Sequence, residues 1–196
     1  GQTCISVQRV YVHDDVADEF LDAIEAKVSA LVVGDPADDA TNVSALIDAG
    51  ETDRVADTVA EALSGGARAV VGGGRTDAGL LAPTVLADVN DDMAVSRTEV
   101  FGPVVGVARY SDVNEAFASA NDTRYGLQAG IFTNDLSLGL EAAHRLDYGG
   151  VCVNEVPTYR TDQMPYGGIR DSGNTKEGPA WAVREMTEER MVVISR

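Results

Sequence analysis

The chain has 196 residues, 44% hydrophobic and 24% charged, enough for one ordinary globular domain with a real core but short for an enzyme holding both a dinucleotide and a substrate. Thirty-two acidic residues against fifteen basic give a net charge of −17, which argues against nucleic acid or an anionic membrane as partner. No run of about 18 apolar residues and no basic-then-apolar opening occurs, so neither a transmembrane helix nor a signal peptide is expected.

Strand and helix signals alternate along the chain. Residues 5–12 are rich in β-branched side chains and predict a strand ending there. Asp14 and Asp15 offer N-caps to a helix in which Val16, Phe20, Ile24 and Val28 recur every four residues, until Gly34-Asp35-Pro36 stops the pattern. A second helix carries Val55, Val59 and Leu63 on one face and ends at Gly65-Gly66, the expected place for positive φ. Short buried strands are predicted at 69–71 and 80–89, with a short helix capped by Asn90 through Ser96. A strand at 104–110, a helix at 113–120 capped by Ser111, a strand at 128–132, a helix at 138–146 and a buried strand at 150–154 follow. Residues 155–178 are turn-rich, Pro179 suits the first turn of a short helix, and 191–194 reads as a last strand. Alternating units of this kind predict an α/β fold with a mostly parallel sheet flanked by helices.

Lys27 and Lys176 are the only lysines, and so dense a carboxylate surface resembles the cytoplasmic proteins of salt-loving microbes. Cys4 and Cys152 are too few for a disulfide framework and match no metal spacing, which fits a reducing compartment and no bound metal. Gly72-Gly73-Gly74 lacks the spacing of a dinucleotide fingerprint and the Lys-Ser/Thr of a phosphate loop, and reads as a tight turn. His13 and His144 show no metal spacing and no nucleophile elbow accompanies them, so surface positions suit both.

Three segments carry more. Gly1-Gln2-Thr3-Cys4 places a thiol at the entry to an ordered element, where a substrate can approach and backbone N–H groups can stabilise an oxyanion; an inert cysteine fits the same pattern. Glu99-Val100-Phe101-Gly102-Pro103 puts a carboxylate and an aromatic ring before a buried strand, as a ligand-facing loop would, or as a capped turn with a core phenylalanine would. The glycines of Pro165-Tyr166-Gly167-Gly168 and Ser172-Gly173 allow close backbone packing.

In order and spacing these segments, with Gly34-Asp35-Pro36, Tyr125-Gly126-Leu127, the Val153-Asn154 strand end and Glu177-Gly178, resemble the catalytic half of the NAD(P)-dependent aldehyde dehydrogenase family, from the first residue to the last strand. The resemblance implies that Cys4 is the nucleophile, passing through a thiohemiacetal and a thioester with its own N–H in the oxyanion hole. It also implies that Glu99 holds the nicotinamide ribose and Phe101 packs on the nicotinamide of NAD or NADP. Residues 1–186 would form the catalytic domain, and 187–196 a strand that joins a homo-oligomer.

Departures accompany it. The family's dinucleotide-binding domain precedes the catalytic cysteine and is absent from this chain, together with the glutamate that activates water and an oxyanion asparagine, so the chain alone is expected to be inactive. Ser44-Ala45 and Thr175-Lys176 depart mildly from the family's Gly-Pro and Gly-Arg. Arg160-Thr161-Asp162-Gln163-Met164-Pro165 resembles branches acting on lactaldehyde-like, phosphorylated or phosphonate-bearing small aldehydes. Arg160 would then pair with an anionic substrate group; a local Arg160–Asp162 ion pair is the competing reading. An inactive interaction module that keeps the fold is the alternative to a catalytic domain.

Overall fold

Strands buried on both faces are apolar except where a polar group is hydrogen-bonded: Thr84–Ala87 has all four side chains buried, and the Thr84 hydroxyl donates to Ala82 O at 2.8 Å. The computed structural model describes residues 1–196 and divides them into two compact units, Gly1–Asp122 and Thr123–Arg196, a boundary the sequence reading did not place.

In the first unit, β1 (Arg9–His13), β2 (Arg68–Val71), β3 (Thr84–Ala87) and β4 (Val104–Tyr110) form one sheet in the order β1-β4-β3-β2. β4 pairs parallel with both β1 and β3, while the edge strand β2 is antiparallel to β3. Alternation along the central strands feeds two cores. Leu86, Val89 and Val104 meet Val55, Val59 and Ala62 of α2 (Ala49–Ser64) on one face. Val85, Ala87 and Val107 meet Ala17 and Leu21 of α1 (Asp14–Ser29) on the other. The short α3 (Ala94–Arg97) and α4 (Val113–Asn121) complete this unit. The expected α/β class with a mostly parallel sheet is observed.

In the second unit β5 (Gln128–Ile131) and β6 (Gly150–Val153) form their own two-stranded parallel sheet, with α5 (Leu136–Arg145) and α6 (Pro179–Glu185). The glycine-rich stretch packs as closely as its composition predicts: a Cβ on Gly149 would collide with the Gly167 carbonyl oxygen, which also accepts from Lys176 Nζ at 2.6 Å. Residues 187–196 form no helix or strand, and Met191, Val192, Val193 and Ile194 stand 69–86% exposed. A strand exists through pairing, and the one expected at 191–194 has no partner strand within this chain.

Several local expectations differ in detail. His13, not Asp14 or Asp15, caps α1: its Nδ1 accepts from Asp15 N at 3.2 Å, leaving both aspartates in the first turn, where the helix dipole favours them. Asp112, not Ser111, caps α4, accepting from Asn114 N. Asn90 closes a turn onto Asp92 N, and the helix after it begins only at Ala94. Asp48 and Asp135 cap α2 and α5, so part of the acidity is spent locally. No helix is long and apolar enough to cross a membrane.

Other carboxylates pair with arginines, as Asp18 does with Arg109 and Asp171 with Arg124, and the net charge of −17 leaves the excess to repel across an exposed surface. Raising KCl from about 0.1 M to about 1 M shortens the screening length from about 10 Å to about 3 Å, so the melting temperature is expected to rise over that range. A flat or falling profile by circular dichroism would refute the reading of the charge as net repulsive.

Candidate active site

The register of two strands brings the first two chemical segments together. β1 and β4 are parallel neighbours with Arg9 opposite Gly106. Cys4 stands five residues before Arg9, and Phe101 five before Gly106, so both segments enter the sheet at the same end. Contact follows from small residues: a Cβ on Gly1 would collide with the Gly102 carbonyl, and one on Gly102 would lie 2.9 Å from Cγ1 of the fully buried Val55. The loop is therefore wedged between α2 and the segment carrying the thiol.

Cys4 is exposed on a turn that Ser6 N closes by donating to Thr3 O at 3.1 Å. Thr3 N donates to Gly1 O at 2.9 Å, and Gln2 Oε1 accepts from Ile47 N at 3.0 Å, which anchors the turn's approach. Glu99 is exposed and Phe101 half-buried. Phe101 has φ 52°, a left-handed conformation that costs an aromatic residue about 1–2 kcal/mol and persists only where its surroundings fix it.

Two residues absent from the sequence reading hold this loop. Gln8 donates through Nε2 to Val95 O at 2.9 Å and Thr98 O at 2.7 Å, and accepts at Oε1 from Val100 N at 2.8 Å. Arg54 of α2 donates through Nη2 to Val100 O and to Glu51 Oε2, each at 2.7 Å. Neither lies near the loop in sequence, so spacing carried no signal for them.

Gly1, Thr3, Ser6, Gln8, Glu99, Phe101 and their neighbours line a cleft of about 10 Å³, room for about one water. The Glu99 carboxylate suits ribose hydroxyls, since an ionised carboxylate only accepts hydrogen bonds. The half-buried Phe101 ring is flat and apolar. Glu99 and Phe101 are the residues of this cleft whose chemistry could hold the ribose and ring end of a dinucleotide. Gly72 and Gly73, with φ 72° and 94°, are not the tight turn that the sequence predicts: they leave β2 alongside Pro83 and Thr84, and the chain reverses further on at Thr76–Gly79, where Gly79 N donates to Thr76 O at 2.8 Å.

Other candidates have structural work. His13 caps α1 and meets Tyr110 edge-on at 5.3 Å between ring centroids, and His144 is exposed in the last turn of α5. Cys152 lies half-buried within β6; burial first, and the Glu155 carboxylate second, push its thiol up and disfavour the thiolate. In the second unit Arg160 lies over the Tyr166 ring at 4.2 Å and donates to Glu177 Oε2 at 2.6 Å. Backbone pairing of Tyr166 with Glu177 sets that geometry, so the ion pair formed is with Glu177 rather than the Asp162 of the competing reading.

The aldehyde dehydrogenase family profile matches residues 1–192. The 3-sulfolactaldehyde dehydrogenase of Priestia aryabhattai is 48% identical over 195 residues, covering 100% of this chain and 41% of that protein. A lactaldehyde dehydrogenase of Methanococcus aeolicus is 40% identical, covering 100% and 42%. Among solved structures, the glyceraldehyde-3-phosphate dehydrogenase GapN of Methanocaldococcus jannaschii complexed with NADP superposes with a TM-score of 0.94 at 37% identity, covering 100% of this chain and 42% of that one. The chain thus spans about two fifths of the length of these relatives.

Gly102→Ala drives a methyl group into Val55, which sits in a packed core with no room to yield. A loss of about 1–3 kcal/mol in unfolding free energy is expected from denaturant titration, and an unchanged midpoint would show that the wedge is loose.

Proposed function

Because the chain belongs to the aldehyde dehydrogenase family, we propose that it supplies the thiol and the nicotinamide-facing wall of an enzyme that oxidises a small aldehyde to its carboxylic acid. The observation that carries this reading is the packing of Gly1 on Gly102, which sets the Cys4 turn beside the loop of Glu99 and Phe101.

Cys4, as thiolate, adds to the aldehyde carbon. The carbonyl electron pair moves to oxygen, where the Cys4 backbone N–H stabilises the charge. The dinucleotide, NAD or NADP, supplies the hydride acceptor when bound. Loss of the former aldehyde hydrogen as hydride converts the thiohemiacetal to a thioester on Sγ. Water then attacks that carbonyl and releases the acid, returning Cys4 to its thiol. Glu99 holds the nicotinamide ribose and Phe101 supports the ring. A dinucleotide-binding domain joined to this chain provides the rest of the cofactor site and the group that activates water, so these 196 residues alone do not turn over. Residues 1–186 act as the catalytic domain and 187–196 as a strand added to a second copy, consistent with the exposed run Met191 to Ile194.

The relatives named for lactaldehyde and sulfolactaldehyde support a small hydrophilic substrate. Arg160 pairs with an anionic group on it: a guanidinium has five N–H donors, and Glu177 engages Nη2.

With NAD or NADP and a small aldehyde, the enzyme bearing the dinucleotide domain is expected to reduce the cofactor, and Cys4→Ala to lower the rate at least about 10,000-fold. Full activity in that variant would sink the cysteine mechanism, and no activity in the parent enzyme would favour a non-catalytic module. Arg160→Met is expected to raise KM for a sulfonate- or phosphate-bearing aldehyde about tenfold while sparing a neutral one. Its stability should change by less than about 1 kcal/mol, because the Glu177 pair is exposed. Equal KM changes for both substrates would remove Arg160 from recognition.

A further inference from the structure

Val100 is the single residue between Glu99 and Phe101, and side chains from two other elements hold both its polar backbone atoms. Its N–H belongs to the Glu99–Val100 peptide and donates to Gln8 Oε1 at 2.8 Å. Its carbonyl belongs to the Val100–Phe101 peptide and accepts from Arg54 Nη2 at 2.7 Å. Each peptide plane flanking Val100 is thereby fixed by a separate side chain. The Val100 side chain is 2% exposed and locks the residue into the core beside α2.

Both clamping groups are themselves tied down. Nε2 of Gln8 is engaged by two carbonyls, Val95 O and Thr98 O, so its amide has one orientation that satisfies all three partners. Arg54 is braced by Glu51 through Nε at 3.0 Å and Nη2 at 2.7 Å. The Glu99 charge also reaches the Arg54 guanidinium, adding to the stronger hold of Glu51 on its proton.

Phe101 keeps φ 52° immediately beyond the peptide that Arg54 holds. A left-handed phenylalanine relaxes unless its surroundings over-determine it, and the two held peptides bear one on ψ of Glu99 and the other on φ of Phe101. We infer that Gln8 and Arg54 are positioning residues for cofactor binding: by clamping the two peptides of Val100 they aim Glu99 and Phe101 at the dinucleotide. The inference rests on the roles proposed above for Glu99 and Phe101. Because Gln8 is four residues beyond Cys4 on the segment entering β1, the same segment that carries the thiol also sets the cofactor-facing loop.

The test measures dinucleotide Kd by calorimetry, with melting temperature alongside, in the enzyme bearing the dinucleotide domain. Gln8→Leu keeps the bulk and removes all three hydrogen bonds; it is expected to raise Kd about tenfold, equivalent to about 1.4 kcal/mol. Gln8→Glu turns a carboxylate oxygen toward two carbonyls at about pH 8 and is expected to bind as weakly. On lowering the pH to about 5 its protonated carboxyl donates again and affinity returns relative to Gln8→Leu, which a merely structural role would not produce. Glu99→Gln provides the control for the underlying reading. If it raises Kd while Gln8→Leu, still cooperatively folded, leaves Kd unchanged, the clamp is overturned and the role of Glu99 stands. If Glu99→Gln leaves Kd unchanged, that role fails and the clamp fails with it. Should Gln8→Leu lose cooperative melting, Arg54→Met decides, with a tenfold rise supporting the inference and an unchanged Kd overturning it.

Discussion

Parallel pairing of β1 with β4 is the constraint on which the site depends. In a parallel pair both chains enter from the same end, so the segments preceding the two strands become neighbours whatever their separation in sequence. Here those segments are the turn of Cys4 and the loop of Glu99 to Pro103, and equal offsets from the Arg9–Gly106 register place them side by side. A shift of one residue would turn Val12 and Val107 out of their core, so hydrophobic burial on both faces of the sheet fixes the register that aligns the chemistry. The candidate site consequently lies at the amino-terminal end of these strands, unlike the carboxyl-end crevices where open α/β sheets usually bind ligands.

What the sheet aligns, close packing makes rigid. Gly1 and Gly102 bring two backbones into contact, Val55 closes the far side, and the clamp on Val100 leaves the loop few alternative conformations. The resulting strain at Phe101 sits beside the residue proposed to hold ribose, and a stable core under the loop is what allows it to persist. The second unit works by a related economy, with a backbone pair between Tyr166 and Glu177 presenting Arg160 over an aromatic ring.

Much of the molecule was legible before folding. The periodicity of Val55, Val59 and Leu63 marked α2, and the run 104–110 with its valines 104, 105 and 107 marked β4 to the residue, because amphipathic and largely buried elements leave strong local patterns. Motif order alone placed the chain in its family. Caps were less legible: aspartate, serine and histidine all accept from a helix N-terminus, and which one does so depends on where the preceding strand ends. The antiparallel course of β2 and the separation into two sheets escaped notice because pairing is a long-range choice, written in no short stretch of sequence.

The sequence by itself determined most of the elements, though not the absence of a strand at 191–194, together with the acidic surface, the family and the candidate chemical residues, since each rests on local pattern or composition. Only the tertiary structure decided that Arg160 pairs with Glu177 rather than Asp162, that Phe101 stands in a left-handed conformation, and that Gln8 and Arg54 meet at Val100. These are contacts between residues 17 to 92 positions apart, and side chains that distant find one another only when the packed core has set where their backbones lie.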